Sequence, residues 1–90
     1  MNKINLQVIK EFQSCVPILV SDIKEDEDGY YFYAYKGSKI FSITISDRID
    51  NNGLFSASIC QAYFSSPKTV IFSGYISSQT FCQLLNEALQ

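Results

Sequence analysis

The residues of this chain that could do chemistry are few and unevenly placed. They are an acidic run Glu25-Asp26-Glu27-Asp28, the pair Asp47 and Asp50, thiols at Cys15, Cys60 and Cys82, and an aromatic run Tyr30-Tyr31-Phe32-Tyr33 continued by Tyr35. The chain has no His, which removes Ser-His and Cys-His nucleophile pairs and the commonest zinc and copper ligand. The acidic run fails the calcium-loop spacing, which needs carboxylates at positions one and twelve around a Gly at six. With Gly29 at six, Lys24 stands at one and Tyr35 at twelve; with Gly53 at six, Arg48 stands at one and Ile59 at twelve. The run therefore reads as a solvated turn. A reactive thiol needs a base and an electropositive setting, yet Cys60 has no charged residue within six positions on either side. Cys15 and Cys82 lie on or beside apolar helical stripes. The thiols are odd in number and outside any C-x-x-C pattern, so they are expected to be reduced structural cysteines, with no disulfide framework and no zinc site. Asp47 and Asp50 fall in a polar Asn/Gly stretch and read as turn formers. The four glycines, at 29, 37, 53 and 74, are isolated and make no phosphate-binding loop. No catalytic residue, metal or cofactor is assigned, and the chain is not expected to be an enzyme.

The aromatic run deserves its own test, because Gly29, Tyr30, Phe32 and Tyr35 overlap the signature K/R-G-F/Y-G/A-F-V-x-F/Y of RNA-recognition strands. Asp28 stands where that signature has a cation, and Tyr31 and Tyr33 replace its small residue and its Val. The neighbouring carboxylates would repel phosphate. Seven Lys and Arg against nine Asp and Glu give a net charge of −2, far from the basic balance that drives nucleic-acid binding. A small-ligand or single-stranded RNA module through Tyr30 to Tyr35 is kept as the alternative function, and nucleic acid is not the favoured partner.

Several elements must position these residues. Ile4, Val8, Ile9, Phe12, Cys15 and Val16 fall on one helical stripe, while Ile4 to Val8 also alternates as a strand would. Residues 3–16 are therefore either a helix or a segment that begins with a strand, and Pro17 marks its end. Ile18 to Lys24 and Tyr30 to Lys36 form a hairpin around the acidic turn. Phe41, Ile43 and Ile45 alternate with Ser42, Thr44 and Ser46 in the clearest strand. A polar connection from Asp47 to Gly53 leads to a strand over Leu54 to Phe64, in which Phe55, Ala57, Ile59 and Tyr63 share a face. Ser65 to Lys68 turns the chain into a fifth strand, Thr69 to Tyr75. Ser77 or Ser78 then caps a helix carrying Phe81, Leu84, Leu85, Ala88 and Leu89 at helical spacing. Short connections favour antiparallel neighbours. The expected fold is a single α+β domain over residues 1–90: a five-stranded antiparallel meander with the N-terminal and C-terminal helices packed on one face.

That architecture leaves a sheet face open. Only Lys68 and Glu87 are charged after residue 50, so the open face is poor in ions. Tyr31, Tyr33, Tyr35, Ile71, Ser73 and Tyr75 are the residues expected to face outward. Interface cores are rich in Tyr and poor in Lys, Glu and Asp. The expected function is a noncatalytic protein-binding domain, of the accessory-subunit, immunity-protein or inhibitor kind, acting on a protein partner or on its own copy as a homodimer. No run of about eighteen apolar residues occurs and the N-terminus lacks a signal-peptide core, so the expected location is cytoplasmic, without membrane association.

Overall fold

The computed structural model describes residues 2–63 and 66–90, with side chains at 3–62 and 68–90. The chain runs β1 (Asn2–Lys3), α1 (Leu6–Ser14), β2 (Leu19–Val20), β3 (Lys24–Glu25), β4 (Gly29–Lys36), β5 (Lys39–Ile49), β6 (Leu54–Tyr63), β7 (Ser66–Ser77) and α2 (Ser78–Ala88). The sheet has the order β2-β4-β5-β6-β7, every pair antiparallel, with β1 added to β5 and β3 added to β4. This is the expected α+β meander. Among the described residues no helix is long and apolar enough to cross a membrane.

The N-terminal segment is helical from Leu6, and the alternation of Ile4 to Val8 does not make a strand; the strand present is shorter and earlier, at Asn2–Lys3. Asn2 and Lys3 pair with Ile49 and Arg48, and then Asn5 caps α1, its Oδ1 accepting the Val8 N–H at 3.1 Å. A side-chain cap satisfies one of the amides that a helix start leaves unpaired, which is why the helix begins after Asn5 and not at Lys3. Ser77 does the same for α2 through the Thr80 N–H, at 3.4 Å.

Both helices cover one face of the sheet. Ile9 and Phe12 of α1, with Phe81 and Leu85 of α2 and Leu89 just beyond it, join Phe32, Ala34, Phe41, Ile43, Ile45, Phe55 and Ile59 in one buried cluster. At its centre Phe12, Phe55 and Phe81 meet with ring centroids 5.2 to 5.5 Å apart. Such ring pairs add about 0.5–1.5 kcal/mol each beyond their burial. One element from each part of the chain is tied there: α1, β6 and α2.

Several expectations change. Ile18 to Lys24 is not one strand but two dipeptide strands, β2 and β3, both on β4. Between them Ser21 still holds the edge, its N–H donating to the Tyr33 carbonyl at 2.8 Å and its hydroxyl accepting the Tyr33 N–H at 2.9 Å. Asp47 is in a strand, not a turn: β5 continues to Ile49 with a register shift between Ile45 and Ile49. The Asp47 carboxylate pairs with Lys3 at 3.8 Å and Arg48 at 3.9 Å. Asp50 is a turn former as expected, Oδ1 accepting the Asn52 and Leu54 N–H groups at 2.9 Å. β7 begins at Ser66, inside the segment read as the Ser65–Lys68 turn, and ends at Ser77. Phe64, Ser65 and the side chain of Tyr63 lie outside the described residues.

The largest correction concerns sulfur. Cys15 and Cys82, expected as separate reduced thiols, are joined as a disulfide with Cα atoms 5.6 Å apart, within the span that such a bond requires. The reason is tertiary: the stripes of α1 and α2 pack side by side on the same sheet face, which brings together two cysteines separated by 67 positions in the chain. Cys60 is the free thiol.

Candidate functional site

The site is the sheet face that the helices leave uncovered, and strand pairing defines its rows. Tyr30, Phe32 and Ala34 of β4 point to the core, so Tyr31, Tyr33 and Tyr35 point the other way. Tyr35 stands opposite Leu19 on one side and Ile40 on the other, and Ile40 stands opposite Ala62. One step down, Tyr33 pairs with Ser42, Ser42 with Cys60 and Cys60 with Val70. Further down, Tyr31, Thr44, Ser58 and Ser73 form a third row, and Tyr75 pairs with Ser56.

Exposure follows these rows. Leu19 is 73% exposed, Val70 60% and Tyr75 72%, and Tyr33, Tyr35 and Ile40 are exposed as well. Burying a Leu or Val side chain stabilises by about 1.5–3 kcal/mol, so leaving both open forgoes stability that the fold alone could use. Tyr31 is half-buried, its ring edge-on to Tyr33 with centroids 6.1 Å apart.

Of the six residues expected to face outward, Tyr33, Tyr35, Ser73 and Tyr75 are exposed and Tyr31 is partly so. Ile71 departs from expectation and packs against the buried core. Between Ile59–Phe72 and Cys60–Val70 the pairing of β6 and β7 slips by one residue, and a bulge of this kind reverses the alternation downstream of it. The outward position at that level therefore falls to Val70. Leu19, Ile40 and Val70 were missed by the sequence reading. The signal that could have found Ile40 is its place two residues before Ser42 in the alternating strand; no local signal marks Val70 or the two-residue strand that carries Leu19.

The lower part of the face is polar. A shallow groove there is lined by Asp26, Asp28, Thr44, Ser46, Ser58 and Ser73 among others. The Thr44 and Ser58 hydroxyls are hydrogen-bonded to each other across the strands. Asp26 is occupied in shaping its own turn, Oδ1 accepting the Asp28 N–H at 2.9 Å and the Gly29 N–H at 3.0 Å. Among the described residues no group of three or more His, Cys, Asp or Glu side chains is arranged to hold a metal ion. On the core side Tyr30 is buried, its hydroxyl donating to the Ile4 carbonyl at 3.5 Å. Burial, with the Glu25 and Asp47 carboxylates adding to it, holds its phenol above the ordinary tyrosine range.

Fold and face together define a class of molecule: a half-covered antiparallel meander with one apolar, ion-poor surface. Comparison with family models, with curated proteins and with solved structures finds no match for this chain.

Proposed function

We propose that the chain is a noncatalytic protein-binding domain that docks through the open sheet face. The observation that carries this reading is the set Leu19, Tyr35, Ile40, Tyr33 and Val70, exposed on β2, β4, β5 and β7 on the side away from the helices, with the half-buried Cys60 and Ala62 of β6 between them. No charged residue lies within these two rows. Depletion of ions with enrichment of Tyr and aliphatic side chains is the composition of an interface core, and roles as an accessory subunit, inhibitor or immunity-type protein all use such a surface. The test compares immobilised wild type, the open-face double variant Tyr33→Ser with Tyr75→Ser, and the helix-side variant Gln83→Ser for the proteins they retain and for the affinity of each retained protein. Loss of about tenfold or more in affinity, confined to the open-face variant, supports the reading. Equal binding by all three overturns it.

A cytoplasmic location is a companion proposal. The Cys15–Cys82 disulfide sets a condition on it, because disulfides persist mainly in oxidising compartments and are rare in the cytosol. Alkylation and mass spectrometry of the protein taken directly from its native cells decide the point.

A further inference from the structure

We propose that this chain forms a homodimer by pairing β7 with β7 of a second copy, antiparallel, about a two-fold axis that stands perpendicular to the sheet at Gly74. This contact uses the edge of the sheet and not its open face, so it does not depend on the docking reading above. The two edges of the sheet differ. On one side β4 is capped by two dipeptide strands, β2 and β3, with Ser21 bonded to Tyr33 between them. On the other, β7 runs from Ser66 to Ser77 and ends the strand order, and among the described residues no strand pairs with its outer side. A long edge is a template for another strand unless charge, Pro or a covering element blunts it. From Thr69 to Ser77 there is no charged residue and no Pro. The core is also unfinished there. Phe72 stands opposite the wholly buried Ile59 and so faces the helices, yet it is only half-buried. α1 runs between β1 on β5 and β2 on β4, so α2, which lies against β7, is the helix at this edge. Leu84 and Ala88 are about 200° and 240° round α2 from Cys82, which is tied to α1, and both are half-buried. What covers this edge must therefore bring a strand and, beside it, an apolar layer at the height of the helices.

A second copy brings both, in one register. Opposed residues of an antiparallel pair point to the same side, and a two-fold axis normal to the sheet sets helix side beside helix side. The axis must then fall on a residue, since an axis between two would oppose residues of opposite facing. The slip of β7 against β6 between Phe72 and Val70, and the end of the strand at Ser77, leave Ser73, Gly74 and Tyr75 as the central choices. An axis at Ser73 would carry the pairing across the slip. One at Tyr75 would leave Phe72 beyond the end of the other strand. At Gly74, Phe72 opposes the second copy's Ile76 on the helix side and Ser73 opposes its Tyr75 on the open side, each pair occurring twice. Gly74 suits the axis for a further reason: a Cβ added there would meet Cζ of Phe72 at 3.9 Å. The Phe72 ring thus leans toward Gly74, and in the dimer both rings lean toward the axis, over two residues without side chains. The overlap from Ile71 to Ser77 is about 24 Å long, and two layers each about 10 Å deep give a contact of roughly 500 Å² per copy and about 1,000 Å² in all. That is the size of a weak, reversible interface. Both open faces then lie on the same side of one continuous sheet.

The test is sedimentation of the purified protein between about 10 μM and about 1 mM, joined to variants that read the register. A monomer-to-dimer shift is expected. Ser73→Lys with Tyr75→Lys sets like charges opposite each other at both pairs and should weaken the dimer about tenfold or more. Ser73→Lys with Tyr75→Glu sets opposite charges there and should keep it. Far-UV circular dichroism checks that both variants fold, and a crosslinking pair decides the register if either does not. With Cys60 replaced by Ser, the two copies of Ser73→Cys lie diagonally across the axis, about 8 Å apart between Cα atoms, and should be joined by a short bis-maleimide. The two copies of Lys68→Cys are about 40 Å apart along the strands and should not. A monomer at every concentration, crosslinking through Lys68→Cys in place of Ser73→Cys, or equal dimerisation by the two charge variants overturns this arrangement. A strict monomer whose open-face variants still lose a different protein leaves the docking reading standing, and a dimer whose open-face variants lose no protein removes that reading alone.

Discussion

Cutting the link between α1 and α2 should cost this protein a large share of its stability. The perturbation is Cys82→Ser, or reduction of the wild type with a phosphine. The Cys15–Cys82 disulfide closes a loop across 67 positions, and the chain-entropy relation for a loop of that size gives about 4 kcal/mol at 25 °C. A domain of this size has only about 5–15 kcal/mol in total, and each kcal/mol moves its melting temperature by about 4–8 °C, so a fall of roughly 15–30 °C is expected. The structure says where the loss is felt first. α1 has nine residues, too few to be helical in isolation, and besides the disulfide it is held by Ile9 and Phe12. Far-UV circular dichroism through thermal and urea unfolding, with and without reductant, measures the change. Cys60→Ser is the control and should shift stability little, since Cys60 has no covalent partner. If three thiols alkylate in the native, unreduced protein, or if Cys82→Ser melts with the wild type, the pairing of the helices through sulfur is refuted.

Three further outcomes test the packing. Phe81→Ala removes the ring that meets both Phe12 and Phe55 and should cost about 3–5 kcal/mol in denaturant unfolding. Gly29→Ala should lose about 1–3 kcal/mol: its φ is +156°, and an added Cβ would strike the Ile45 carbonyl oxygen and lie 2.8 Å from the Asp47 nitrogen. Because Tyr30 is held above the ordinary tyrosine range when folded, its contribution is fully present below the unfolded value near 10 and is lost as pH rises through the folded one; the wild type should lose stability in that alkaline window more steeply than Tyr30→Phe, as read by urea midpoints across pH.

How much of this was legible in the residues can be argued element by element. β5 was plain because Phe41, Ile43 and Ile45 alternate with Ser42, Thr44 and Ser46, and a period of two assigns faces without reference to any other part of the chain. α2 was equally plain from Phe81, Leu84, Leu85, Ala88 and Leu89, whose spacing makes one stripe, and a stripe implies a surface to cover. The open face followed from those two facts by counting, because two short helices cannot cover both sides of five strands. Tyr33, Tyr35 and Tyr75 were found in that way.

Position by position, the rest depended on contacts between residues distant in sequence. Val70 and Ile71 exchange places because β7 slips against β6 between Phe72 and Val70, and a bulge is a property of two strands, not of either sequence. Leu19 reaches the open face through a two-residue strand that exists only by its bonds to β4. The disulfide depends on the packing of two helices at opposite ends of the chain, and loop closure over such a distance leaves no trace in local spacing. Periodicity, being local, determined the layers and which residues each layer buries; the register between strands and the meeting of α1 with α2, being long-range, were decided only when the chain folded.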